Sequence, residues 1–271
     1  MESIFYNTMA DMNWKEIEEM GHRDIPVLFP LGVIEEHGPH LPLATDIYLS
    51  YAVCKKIKTE VENMNEKCLI APPYYWGINH CTGAFPGSFS LRQETMKSVL
   101  YDIFDNLNNF GFKRIYCVNQ HGDPSHIKTI LGAIKDSNKT FNMQIKMLIE
   151  PYELSDYNLS GKEDYILVDK AEYPKSLFLE DNGLLDIHAG AFETAAIKYF
   201  YKQILNTDAV KNLPDYSLNY ENIKNWIQGG ESARNVVPLG YAGNPSEYEK
   251  KLSSIEVMFS ILCKYVAGVI M

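Results

Sequence analysis

The chain has 271 residues, a formal net charge of -10, 46% hydrophobic residues and 22% charged residues. That is ordinary globular composition, with enough length to bury one large core or two small ones. The acidic balance argues against a nucleic-acid partner and against an anionic membrane surface. In chain order, an arm and an amphipathic turn at 13–20 precede the first strand, 25–31, whose internal prolines predict an irregular edge or a start after Pro26. A helix over 46–61 follows, with Thr45 or Asp46 as its cap. A second strand, 67–71, runs into Pro72 and Pro73. The aromatic, glycine-rich loop 74–87 comes next. The helix 93–110 closes on Gly111, the third strand is 114–118, a helix covers 124–135, and a fourth strand is 143–149. Residues 150–186 are aperiodic and tyrosine-rich, which predicts a lid or an oligomer-contact insertion. A helix over 191–204, a loop region with one turn near 220–227, and a last helix over 245–266 with Ser246 as cap complete the chain.

Short apolar strands alternating with helices of ten or more residues are the pattern of βαβ units around a parallel sheet, here as one domain over 1–271. In such sheets ligands sit beyond the carboxyl ends of the strands. The five cysteines are odd in number and form no Cys-x-x-Cys pair, and most lie in apolar runs, as expected of a reducing cytoplasm. Cys81, in a glycine-rich loop, is a minor candidate nucleophile. No leader peptide opens the chain and no unbroken apolar stretch approaches 18 residues, so no membrane partner is expected.

Two polar clusters fall at the expected sheet edge, and a third lies later in the chain. The first follows the first strand: Glu35, Glu36, His37, His40 and Asp46, separated by Gly38, Pro39 and Pro42. Carboxylates beside neutral imidazoles suit a divalent ion such as zinc, or manganese where carboxylates dominate. Glu35 and His37 are two apart and project to one side of extended backbone. The alternative is a polar βα connection. The second cluster, Asn119, Gln120, His121 and Asp123, follows the third strand. Asp123 precedes Pro124, so it is also a routine helix cap. The third is Asp186, His188 and Glu193. Glu193 either complements a helix N-terminus or acts as a ligand or water-holding carboxylate, and His188 is placed to move a proton. Tyr74, His80 and Ser88 in the aromatic loop are candidate substrate contacts.

Together these segments resemble the creatininase family. The resemblance is carried by Glu35-Glu36-His37-Gly38-Pro39-His40-Leu41-Pro42, Thr45-Asp46, Phe85 through Leu91, Asn119-Gln120-His121-Gly122, His188-Ala189-Gly190 with Glu193-Thr194, and Gly240 through Pro245. It implies a three-layer α/β/α fold with a mostly parallel sheet, a homohexamer, and two divalent metal ions per subunit, zinc with manganese or iron as alternatives. By the same resemblance Glu35, Asp46 and His121 hold one ion, and His37, Asp46 and Asp123 hold the other, with Asp46 bridging. His188 matches the catalytic position and Glu193 a site glutamate. The family carries a glutamate or glycine where this chain has Asp123. The tryptophans associated with creatinine have no match in 150–186.

The chemistry so implied is attack of a metal-activated water on a small cyclic amide or formamide. Glu36, His40 and Asn119 would steady the ligands. Two other readings accompany it: carbon–carbon cleavage of a diketo-inositol by the same logic, and a metal-stabilised scaffold or ligand-binding module without turnover.

Overall fold

The computed structural model describes residues 3–178 and 185–271. Residues 179–184 of the expected 150–186 insertion lie outside the described residues. Five parallel strands form one sheet in the order β2-β1-β3-β4-β5: β1 Val27–Leu31, β2 Leu69–Ile70, β3 Arg114–Asn119, β4 Gln144–Ile149 and β5 Ile166–Val168. The helices are α1 Trp14–Gly21, α2 Thr45–Asn63, α3 Gln93–Asn109, α4 Pro124–Phe141, α5 Glu153–Asp156, α6 Ala191–Tyr201, α7 Thr207–Val210, α8 Asn222–Gln228, α9 Gly230–Val236 and α10 Tyr248–Ile270.

Side-chain alternation along the strands builds three layers. Val27, Phe29, Leu31, Ile115 and Cys117 join the core on one face with residues of α3 and α4, including Phe104 and Ile130. Leu28, Tyr116 and Val118 join the core on the other face with α2, α6 and α10. Strands buried on both faces read as continuous apolar runs, as RIYCV does. Pro30 is tolerated in a central strand because its missing N–H points to the β2 side. There β2 has already ended, and the Tyr74 N–H reaches the Pro30 carbonyl after the Pro72-Pro73 detour.

Several boundaries differ from the sequence reading. The first strand does start after Pro26, one of the two expected outcomes, whereas α4 continues to Phe141, closing on Asn142 in left-handed conformation (φ 51). Ser246 caps nothing: its hydroxyl donates to Asn244, and a 3-10 turn, Pro245–Glu247, precedes α10. Within 150–186 the chain forms α5 and then β5, an edge strand paired with β4. Helix α9 and the strand β5 had no counterpart in the periodicity. By length and composition the segment Pro245–Ile270 is apolar enough to cross a membrane (mean hydropathy 1.5). In this fold α10 instead lays Ile255, Phe259, Leu262, Cys263 and Val266 against the core shared with α2 and α6.

Candidate metal centre

The register Leu31↔Asn119 aligns the carboxyl ends of β1 and β3, so Glu35 and His121 arrive at the same edge. Helix α2 starts directly behind them. Gly32 makes this possible, since a Cβ there would lie 2.9 Å from the backbone nitrogen of Ile47. The first turn of α2 therefore presses against the exit of β1, and Asp46 faces Glu35 and both histidines. Neither predicted cap operates on α2: its N-cap is Ala44, with no side-chain bond. The Asp46 carboxylate is turned inward, and the Thr45 hydroxyl donates to Pro42.

Each ligand-type side chain is held by its far end. His37 Nδ1–H donates to the Glu35 carbonyl at 3.1 Å, which leaves Nε2 facing Asp46 Oδ1 at 3.0 Å. His121 Nε2–H donates to the Ile78 carbonyl at 2.9 Å. Its Nδ1 faces Glu35 Oε1 at 2.9 Å and Asp46 Oδ2 at 3.2 Å. Glu35 Oε2 accepts from the Thr82 hydroxyl. His188 Nε2–H donates to the Glu36 carbonyl at 2.8 Å, with Glu36 Oε1 at 3.5 Å, while its Nδ1 lies 3.8 Å from Glu35 Oε1. Glu193, in the first turn of α6, accepts from the Ala189 N–H at 2.5 Å and lies 3.9 Å from His37 Nε2. Ala189 is left-handed (φ 49), an unusual backbone for alanine, and this turn aims that N–H at Glu193.

Among the described residues, three groups each bring their ligand atoms within 4.8 Å of one another: Glu35, Asp46 and His121; His37, Asp46 and Glu193; and Glu35, His37 and His188. The first two share Asp46 through different oxygens. Asp123 is elsewhere engaged. Its Oδ1 accepts from the Ser125 and His126 N–H groups at the start of α4, and its Oδ2 accepts from the His80 N–H at 2.8 Å. Glu193 occupies the third corner that the resemblance assigned to Asp123.

The donor set fits divalent ions. Asp46 Oδ2 is a buried carboxylate oxygen that lies 3.2 Å from His121 Nδ1 yet makes no well-formed hydrogen bond, a costly arrangement unless something else meets it. Burial alone would push the Glu35 and Asp46 carboxyls up. Instead Glu35 is held below its ordinary value by His121 and His188, and Asp46 by His37 and His121. Burial would likewise push the imidazoles down, yet His121 is raised by Glu35 and Asp46, and His37 by Asp46. The imidazoles act as counter-charges to the carboxylates, the task a dication takes over.

Among the other predicted residues, Gln120 lines the same cleft. Ser88 Oγ accepts from the Glu36 N–H at 3.0 Å. His40 ties the 38–42 loop to α6 through the Thr194 hydroxyl at 2.9 Å, and burial pushes its imidazole down to about 4. Asn119 donates to the His121 carbonyl at 2.7 Å. The cleft lining includes neither Tyr74 nor His80. Tyr74 belongs to the core on the α3 and α4 face, because its backbone bonds to β1 turn the ring under the sheet edge. The His80 side chain is exposed. Asp186 is a remote cap of α6, accepting from the Phe192 N–H at 2.9 Å.

Cys81 lines the cleft as a thiol, pushed up to about 12 by burial and the nearby Asp123 and Glu35 carboxylates. The sequence reading missed Thr82, Ile187 and Trp226. The Trp226 ring lies 5.4 Å from that of His188 and walls the cleft, whose volume is about 70 Å3. The two residues are 38 apart in sequence, and nothing in that spacing signals the contact.

The creatinine amidohydrolase (creatininase) family model matches residues 10–260. Creatinine amidohydrolase of Pseudomonas putida is 25% identical over 225 residues, 79% of this chain and 78% of that protein. The mycofactocin precursor peptide peptidase of Mycobacterium ulcerans is 30% identical over 113 residues, 40% of this chain and 44% of that protein. The 3-dehydro-scyllo-inosose hydrolase of Thermotoga maritima is 25% identical over 121 residues, 44% and 36% of the two chains. A crystal structure of creatinine amidohydrolase superposes with a TM-score of 0.71 at 20% identity, covering 97% of this chain and 96% of the other. Similar solved creatininase structures include a manganese form and a zinc–zinc form. The family model spans nearly the whole chain, and the fold that carries the metal-type side chains to one edge is the one these structures share: the chain belongs to the creatininase family.

Proposed function

We propose that this chain is a metal-dependent hydrolase that cleaves the C–N bond of a small, non-peptide amide of the cyclic or formamide kind. The observation that carries the reading is the pair of donor groups sharing the buried Asp46. Glu35 and His121 would complete one ion's set, His37 and Glu193 the other's, with Asp46 between them. Zinc, or manganese or iron in its place, supplies an activated water and polarises a carbonyl when bound there.

The remaining steps belong to side chains. Glu36 fixes His188 through Nε2, so Nδ1 is the nitrogen that faces the cleft. Burial would push this imidazole down, but Glu35, Glu36 and Glu193 bring it to about 10 in the ion-free chain. A proton held at Nδ1 is available to the leaving nitrogen, the role of a general acid. Trp226 and Ile187 exclude water from the opposite wall. The match to a creatinine amidohydrolase covers 79% of this chain and that to a peptide peptidase 40%, which favours a compact substrate over a peptide. We further propose, on the family resemblance, a cytoplasmic homohexamer of single-domain chains in which the described part of the insertion, residues 150–178, partly covers the site or an interface.

The test combines metal analysis with a turnover panel of cyclic amides, formamides, short peptides and a cyclic diketone polyol. Two ions per chain and turnover of a cyclic amide or formamide are expected. Asp46→Asn should lose both activity and metal. His188→Ala should lose roughly 100- to 10,000-fold in turnover, the usual contribution of a general acid, and keep its metal. Full activity in Asp46→Asn would remove the bridge. Turnover confined to the diketone would replace C–N by C–C cleavage, and bound metal with no turnover would leave a scaffold.

A further inference from the structure

We infer that His126, on α4 and outside the cleft lining, is a positioning residue that fixes the ring of His121 through the backbone of Ile78. The inference rests on the two-ion reading of the site. It stands on a closed circuit of hydrogen bonds. The His121 side chain donates from Nε2 to the Ile78 carbonyl at 2.9 Å. The Ile78 N–H donates to His126 Nδ1 at 3.3 Å. That nitrogen therefore carries no proton, and His126 Nε2–H donates to Asn119 Oδ1 at 3.2 Å. The other end of the Asn119 amide donates to the His121 carbonyl at 2.7 Å and closes the circuit.

His121 is thus gripped at its ring and at its own backbone, and one choice of protons satisfies every group. The circuit leaves Nδ1 as the only ring nitrogen of His121 free to face Glu35 and Asp46. His126 is fully buried, and its ring meets that of His121 edge-on, 4.9 Å between centroids at 81°. The loop is pressed onto it. A Cβ at Gly77 would lie 2.4 Å from His126 Nδ1, so a side chain there would displace the ring from Ile78. Partners that orient a ligating histidine typically change metal affinity by about 10- to 100-fold.

The experiment uses full-length zinc-loaded protein, with chelator titration followed by mass spectrometry of released zinc, and histidine-selective 15N NMR to read the tautomer of His121. His126→Ala should release one ion at about 10- to 100-fold weaker chelation, leave the second ion's release unchanged, and lose the His121 Nε2–H signal. His126→Gln can accept from Ile78 and donate to Asn119, and should restore both. Two ions held as tightly as in the wild type would overturn the inference, as would parallel loss of both in step with melting temperature. Should His126→Ala not fold, Asn119→Ala opens the same circuit and should show the same split; its absence there overturns the inference equally. If wild-type protein holds no ion, the two-ion reading falls. The His121 Nε2–H signal of the ion-free protein then decides the circuit, and its persistence in His126→Ala refutes it.

Discussion

Asp123 shows how one side chain divides two readings. Its sequence context, before Pro124, is a helix start, and its place beside His121 is that of a family ligand. The geometry gives both carboxylate oxygens to backbone N–H groups, of Ser125, His126 and His80. Asp123→Ala should therefore cost about 1–3 kcal/mol, a lost cap plus an unsatisfied buried donor, and leave the metal content unchanged. Urea unfolding beside metal analysis checks this. A released ion with little change in stability would return Asp123 to the coordination sphere. Asp46 presents the opposite case. It stands at a helix start and reads as a cap, yet it serves the centre, because Gly32 lets α2 crowd the strand exit. Propensity places a carboxylate near a helix terminus, but only the neighbouring chain decides which way it turns.

At the scale of elements, the long periodic helices and the central strands were legible because burial on a helix face or across a buried sheet writes itself as spacing. What was not legible lacks that spacing. Strand β5 is three residues long and gains its place from pairing with β4 rather than from pattern. Helix α4 passes through Asp136, Ser137 and Asn138, poor helix formers, because Asn138 exchanges hydrogen bonds with the backbone of Ile145 at 2.8 and 2.9 Å. The backbone carbonyl of Ile78 and the wall made by Trp226 have no signature in residue type at all. The candidate ligand residues that the fold brings together were legible for the opposite reason: they cluster in three short segments that follow strands or precede helices.

The pairing of β4 with β5 has a titratable consequence. The register Ile149↔Val168 sets Glu150 beside Asp169. Asp169 is satisfied by the Ala171 N–H and the Tyr173 hydroxyl, both donating to it. Glu150 is left to take the proton, its carboxyl pushed up to about 7 by burial, then Asp169 and Glu153. A carboxyl raised in the fold contributes most below its unfolded value near 4.5, and stability falls as pH rises through about 7. Glu150→Gln should then be more stable than wild type by roughly 1–3 kcal/mol at pH 8.5, with the two alike at pH 5. Equal urea midpoints at both pH values would show that Glu150 ionises freely.

For the whole molecule, the two layers of helices and the sheet form apolar cores on both faces that do not need an ion. The edge between them is different. It concentrates Glu35, Asp46, His37, His121 and His188, all buried, with the partly exposed Glu193, on segments from β1, β3, α2 and α6. Ions bound there stabilise only the folded chain, by about 4 kcal/mol when present at a thousandfold their dissociation constant. For a chain of this size each kcal/mol moves the melting temperature by about 2–4 °C. Chelation should therefore lower the melting temperature by about 10 °C while far-UV circular dichroism persists below the transition, and zinc should restore it. Asp46→Asn, which removes the shared ligand, should start near the chelated value and respond little to either treatment. The comparison matters because His37 and His121 already balance the carboxylates in the ion-free chain, so the cluster need not come apart when the ions leave. If protein shown by metal analysis to have lost its ions melted unchanged, the ions would bind the folded chain too weakly, or the unfolded chain too well, to stabilise the fold, and the imidazoles alone would hold the edge.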